Sequence, residues 1–248
     1  MEKEEVTKEV KKEKKEEKNK KSTGKSLLKA IGIILLLVII IFIILVARKV
    51  VIINNLQNKI EEYSKMDNYY VKEYDYDGES LVIGEYYIKG NKNKSELNSM
   101  GIDSDSKLIE VYNGEEFNIY IESNGEKTAL LDAGEEITGR IGISNFLEIN
   151  NFQDILKTAI LSEISTENCN GKECYRIQTG YGFNNSNNES KVTIYIDKET
   201  GLPTRYLNGT RIRGEEKTST IQDYYYEFNT VTDEDVQEPD ISEYKISE

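Results

Sequence analysis

The 248-residue chain has no histidine, no tryptophan, two prolines and two cysteines. Without histidine there is no Ser-His or Cys-His couple to activate a nucleophile. Two thiols without imidazole also fall short of the four ligands of a structural zinc site. The sequence contains no G-x-S-x-G, no G-x-x-x-x-G-K-[ST] and no G-x-G-x-x-G, so hydrolase elbows, P-loops and dinucleotide folds have no foothold. Carboxylates are plentiful, but runs such as Asp233-Glu234-Asp235 read as solvated surface rather than a paired acid and base. Asp75-Tyr76-Asp77-Gly78-Glu79 and Asp103-Ser104-Asp105-Ser106 do not complete a calcium loop and read as turn-forming acids. The expectation is a protein that is not an enzyme, with no metal and no cofactor. The missing tryptophan and scarce proline say nothing about function.

What is present is unevenly distributed. Residues 1–26 are almost entirely Lys, Glu and small polar residues, with Val6 and Val10 the only aliphatic side chains. Such a segment buries too little surface to offset its ordering entropy and reads as a disordered, charged cytoplasmic tail, with only transient helix from Glu/Lys pairs four apart. From Ala30 to Ala47 every residue is apolar or glycine. That run spans roughly 27 Å as a helix, close to the ~30 Å hydrocarbon core. It is longer than the apolar region of a signal peptide and ends in Leu-Val-Ala-Arg-Lys-Val, so residues 27–49 read as an uncleaved transmembrane signal-anchor. Lys18, Lys20, Lys21, Lys25 and Lys29 precede it, against Arg48, Lys49 and Lys59 after it. This bias places the N-terminus in the cytoplasm and residues 50–248 outside the cytoplasmic membrane. The first 29 residues hold 11 of the 32 basic and 7 of the 45 acidic residues. The remainder is therefore strongly acidic and repels nucleic acid.

Beyond the span, Ile52, Ile53, Leu56, Ile60 and Tyr63 fall at helical spacing and predict an amphipathic first helix of the domain. From Tyr69 the period changes to two. Strands are expected at 69–76, 81–89, 107–113, 116–123 and 127–131, with Asp77-Gly78, Asn113-Gly114 and Asn124-Gly125 as hairpin turns. In the fourth, Phe117, Ile119 and Ile121 alternate with Asn118, Tyr120 and Glu122, which predicts one buried face. A helical stripe follows: Phe146, Ile149, Phe152, Leu156, Ala159, Ile160 and Ile164, capped by Asn145 or Asn151. A second strand group is expected at 173–179, 190–197, 202–209 and 219–229, and Val192, Ile194 and Ile196 share a face. The acidic tail with Pro239 reads as a loop or edge segment packed by Ile241, Tyr244 and Ile246. The sum is an α+β domain of nine or ten strands and two helices. Cys169 and Cys174 flank a four-residue turn, Asn-Gly-Lys-Glu, so a disulfide across a hairpin is expected on the oxidising side of a membrane. Tyrosines cluster at Tyr69, Tyr70, Tyr74, Tyr76, Tyr86 and Tyr87, and again at Tyr224, Tyr225 and Tyr226. They serve either ordinary sheet packing or the lining of a lipid-like ligand.

The order helix, meander, amphipathic helix, second meander, with Tyr195–Tyr206 (YIDKETGLPTRY) and the closing segment 227–244, resembles the LolA-like superfamily of envelope lipoprotein carriers, which includes RseB N-terminal-domain-like half-barrels. This resemblance implies a large antiparallel sheet curled as a half-open barrel, with helices over its concave face, holding acyl chains. The chain keeps its anchor, so receiving, presenting or sensing a ligand fits better than ferrying it. Together these readings give a non-catalytic domain that binds a lipid, lipoprotein or other amphipathic envelope component. The lining is expected from Phe117, Ile119, Ile121, Phe146, Ile149, Phe152, Leu156, Ile160, Val192, Ile194 and Ile196. The alternative is a structural or signalling module with a fully packed sheet, acting through protein contacts.

Overall fold

A computed structural model describes residues 2–63, 65–77, 80–100, 106–134, 151–169, 171–179, 182–183, 189–212 and 215–247. The chain divides into two units, Met1–Lys49 and Val50–Glu248. A single helix, α1 (Glu2–Tyr63), runs through the first unit and into the second. The segment expected as a disordered tail is helical in its backbone from Glu2 onward. It extends an existing helix, so the unfavourable nucleation step does not recur. Within α1, Lys29–Tyr63 is long and apolar enough to cross a membrane, and its large apolar side chains from Ile31 to Leu45 are exposed. On length and composition this helix is a candidate membrane anchor.

In the second unit the sheet is built from β1 (Asn68–Asp77), β2 (Ser80–Lys89), β3 (Lys92–Met100), β4 (Ser106–Tyr112), β5 (Phe117–Ser123) and β6 (Glu126–Leu130). The short helix α2 (Phe152–Leu161) follows. Then come β7 (Ser162–Cys169), β8 (Lys172–Thr179), β9 (Gly182–Phe183), β10 (Glu189–Asp197), β11 (Pro203–Ile212), β12 (Glu215–Phe228) and β13 (Lys245–Ser247). Their order is β13-β6-β5-β4-β3-β2-β1-β12-β11-β10-β8-β7, with β9 beside β10. Among the described residues every pairing is antiparallel except β13 with β6. The order does not return on itself, so this is an open, predominantly antiparallel α+β sheet of the half-open barrel kind.

Four strands escape the periodicity. β3, KNKSELNSM, has almost no apolar alternation and is held by nine pairs with β2 and seven with β4. β7 takes Ile164 out of the expected helical stripe: α2 ends at Leu161, and Ser162 onward pairs with β8. β9 and β13 are two and three residues long. Asn151 does cap α2, accepting from the N–H of Gln153 at 2.8 Å and Asp154 at 3.1 Å. Asn145 lies outside the described residues. Asn124 and Gly125 form the expected two-residue hairpin turn, both with positive φ (52° and 80°).

The inner face of the sheet carries the main core. Ile53, Leu56 and Ile60 on the last turns of α1 are buried. Leu56 packs with Ile177, Ile194 and Ile196, and Ile60 with Tyr69, Val71, Ile88 and Leu202. The D-x-x-T-G-L-P segment seats this helix. Asp197 closes the turn by accepting from Glu199 N–H at 2.7 Å, and Lys59 of α1 donates to the carbonyls of Lys198 and Glu199, the latter at 2.8 Å. Gly201 has φ +76°, and a Cβ there would sit 2.7 Å from the Lys59 Cβ. Glycine is therefore required twice over.

A second core lies on the outer face. Asn118 and Tyr120, expected to face solvent, are 3% and 0% exposed, whereas Ile121 is 46% exposed. The closing segment covers them. Glu238 accepts from Asn118 and Tyr120, each at 2.9 Å, and Tyr244 meets the Tyr120 ring edge-on at 5.2 Å. Ile241 and Ile246 stay exposed, so of the three expected packing residues only Tyr244 packs.

The cysteines are not joined. Cys169 stands opposite Lys172 and Cys174 opposite Glu167. The two thiols are thus diagonal neighbours rather than a directly opposed pair. Burial, then the neighbouring Cys174 thiol, pushes the Cys169 thiol up to about 12. That makes it a poor nucleophile.

Candidate functional site

Register sorts the inner face into cross-strand rows. One row runs Tyr224, Glu73, Gly84, Leu97, Leu108, Ile121. The next runs Tyr226, Val71, Tyr86, Ser95, Glu110, Ile119, Leu130. On β3 to β6 these rows form an apolar shelf of Leu97, Leu108, Ile119, Ile121 and Leu130. Ile121 and Leu130 are 46% and 38% exposed, and the other three are half-buried. On β7 to β11 the same face carries Ile164, Ile177, Ile194 and Ile196, which α1 fills.

Beside the shelf stands an acidic cluster. Glu73 and Asp75 point to the inner face because they share the parity of Tyr69 and Val71. Gln222, opposite Asp75, donates to its Oδ2 at 3.1 Å, and the Tyr224 hydroxyl donates to the Gln222 Oε1 at 3.0 Å. Gly84 lies directly opposite Glu73, and a Cβ there would meet the Tyr86 ring at 2.7 Å. Glycine thus lets Tyr86 lie across β2 and bring its hydroxyl to Glu73. Burial, then the charge of Asp75, raises the Glu73 carboxyl above its ordinary value, against the hydroxyls of Tyr224 and Tyr86. Burial raises the Tyr86 and Tyr224 hydroxyls too, so both remain protonated donors.

The outer face contrasts in chemistry. Lys94 and Lys107 reach Glu96 at 2.7 and 2.6 Å, and Lys72 reaches Glu85 at 3.3 Å. Burial of Glu96 is outweighed by the two lysines, which hold its carboxyl below the usual range. Every acid in this ladder has a cation. Among the described residues no group of three or more His, Cys, Asp and Glu is placed to hold a metal.

The expected lining residues scatter. Ile119 and Ile121 stand on the open shelf, while Phe117 is buried at its edge. Val192, Ile194 and Ile196 lie under α1. Phe152, Leu156 and Ile160 are 66%, 37% and 47% exposed on α2, whose buried side chains are Ile155 and Ala159. Phe146 and Ile149 lie outside the described residues. Sequence reasoning missed Leu97, Leu108 and Leu130, which lack a clean alternating context, and the pair Glu73 and Asp75. For the pair a signal existed: they continue the parity of two buried residues. Two recesses of about 470 Å³ are present, one at the tips of β3 to β6, lined by polar residues and Met100, the other between Cys169, Leu202 and the β12 residues Tyr224 to Phe228.

The geometry defines a class: an open antiparallel sheet with a helix seated over part of its inner face and an apolar shelf beside it. No family model and no curated protein sequence matches the chain. Similar solved structures include MucB in complex with MucA(peri), 10% identical with a TM-score of 0.37, matched over 75% of this chain and 60% of that one. Another is an uncharacterized conserved protein from Thermus thermophilus, 8% identical, TM-score 0.45, over 78% and 98%. A third is a DUF1329 family protein from Desulfovibrio piger, 13% identical, TM-score 0.28, over 73% and 96%.

Proposed function

We propose that residues 50–248 form an extracytoplasmic, non-catalytic domain that binds a lipid, lipoprotein or other amphipathic envelope component. In this reading α1 anchors it in the cytoplasmic membrane with the N-terminus in the cytoplasm. The observation that carries the proposal is the open half of the inner face. Apolar residues at five positions in register remain partly exposed beside a polar cluster, whereas the equivalent residues under α1 are filled in. An acyl chain on the shelf would gain about 25 cal/mol for each Å² of apolar surface it removes from water. The test is photo-crosslinking of the full chain in cells, with a benzophenone amino acid at Ile121 or, for comparison, at Tyr76. Mass spectrometry of the purified chain should find acyl-bearing adducts at Ile121 and not at Tyr76. Equal labelling at both, or no acyl adduct at Ile121 in a chain that melts normally, overturns the reading.

A protein-contact role is favoured by a separate observation, the exposed Phe152, Leu156, Ile160 and Leu161 of α2. A benzophenone at Phe152 that yields a discrete protein adduct, with none at Ile121, would make that role the primary one.

A further inference from the structure

On the inner face two carboxylates, Glu73 and Asp75, stand two residues apart on β1, and among the described residues no ion pair joins either to a lysine or arginine. Asp75 uses Oδ2 on Gln222, while its Oδ1 is shielded from water and has no hydrogen-bond partner. Across β1, the Tyr226 hydroxyl is likewise shielded and without a partner. Its surroundings include Glu73 and Tyr224, so it faces the same cluster. Two orphaned oxygens of this kind, one of them on a carboxylate, are costly in an empty site. Glu96 on the outer face, by contrast, has two lysines within 2.7 Å.

We propose that Glu73 and Asp75 bind an organic ammonium group, the cationic end of an amphiphile whose apolar part lies on the Leu97–Ile121 shelf. The inference rests on the proposed function for the position of the apolar part. Three observations select the ligand class. The site is acidic, which excludes phosphate and carboxylate head groups. The hydroxyls of Tyr86 and Tyr224 meet Glu73 and that of Tyr226 lies beside them, so the carboxylates are flanked by oxygens that an ammonium N–H can meet. Two carboxylates and an amide fall short of the six to eight oxygens that calcium takes, and no larger acidic cluster occurs among the described residues. The span also fits: Leu97 is two strands from Glu73, roughly 10 Å, the length of a short head group and the first methylenes of a chain.

The test uses the full chain in a neutral maltoside detergent, titrated by calorimetry and ligand-observed NMR. The probes are n-butylammonium chloride, uncharged n-butanol of similar shape, and calcium chloride. Saturable binding of butylammonium, at least tenfold tighter than butanol, is expected. Glu73→Gln and Asp75→Asn should each weaken it at least tenfold, while Glu85→Gln on the outer face leaves it unchanged. Thermal melts accompany each variant. Both inner variants should melt no lower than the parent, because each removes one of two neighbouring buried charges, and a purely structural role would not couple that to lost binding. Equal binding of butanol, calcium binding that butylammonium does not displace, or no binding to a folded chain overturns the inference. Acyl adducts at Ile121 without butylammonium binding would sink only the head-group assignment. Butylammonium binding without acyl adducts would sink only the apolar part.

Discussion

The two halves of the inner face are written in the same alphabet and meet opposite fates. Val192, Ile194 and Ile196 on β10 and Phe117, Ile119 and Ile121 on β5 show the same alternation. On β10 the alternating face closes against Leu56 of α1 and becomes core, whereas on β5 Ile121 remains 46% exposed. The difference is the location of the covering helix, which Lys59 and Gly201 fix to the β10–β11 turn. An alternating strand therefore declares that a face is apolar, and the helix that arrives or fails to arrive decides whether it is core or shelf.

The comparison is broken most strongly at Leu56. Leu56→Ala should cost about 2–5 kcal/mol in denaturant unfolding, because it empties a filled site, while Ile121→Ala should cost less than about 1 kcal/mol. Similar losses from both would mean the shelf is core. The outer face comes next. Glu238→Ala leaves the buried Tyr120 hydroxyl and Asn118 amide without their acceptor and should cost about 1–3 kcal/mol in the same measurement. Gly201→Ala should cost about 1–3 kcal/mol through positive φ and the collision with Lys59, loosening α1 from the sheet. Hydrogen exchange of the amides of residues 52–63 should rise in that variant and stay level in Gly125→Ala, where nothing lies near the added methyl.

The smallest effect is in pH. The folded Glu73 carboxyl is raised above the unfolded value of about 4.5, so the native state holds its proton longer. Its contribution is complete below that value and is lost as pH rises from there through the raised folded value. Asp75 from β1, Tyr86 from β2, and Tyr224 and Tyr226 from β12 face it, with Glu110 of β4 next to Tyr86. The tyrosines stay neutral throughout this window. Glu73→Gln should flatten this part of the stability profile, and melting curves between pH 4 and 8 read it directly. An unchanged slope would place the carboxyl in solvent.

Much of the architecture was legible. Helical spacing located Ile53, Leu56 and Ile60, and period-two alternation with Asx-Gly turns located most strands, because both signals are local and repeat over several residues. β3 was invisible because it is polar on both faces and is a strand only through its neighbours. β7 looked like helix because Ile160 and Ile164 keep helical spacing, yet pairing with β8 overrides that spacing after Leu161. The disulfide expectation failed on register, which sets Cys169 opposite Lys172 rather than Cys174.

By itself, then, the sequence determined the apolar helix from Lys29, the acidic sheet domain behind it, the lack of histidine chemistry and which faces of its strands are greasy. Those properties follow from composition and short-range periodicity, which do not depend on what else the chain touches. Tertiary structure alone decided the rest: α1 covers β10 and not β5, the closing segment buries Tyr120, and Glu73 and Asp75 face inward among tyrosines. Each of these is a contact between residues far apart in the chain. Such contacts are fixed by register and by helix docking, which no local pattern encodes.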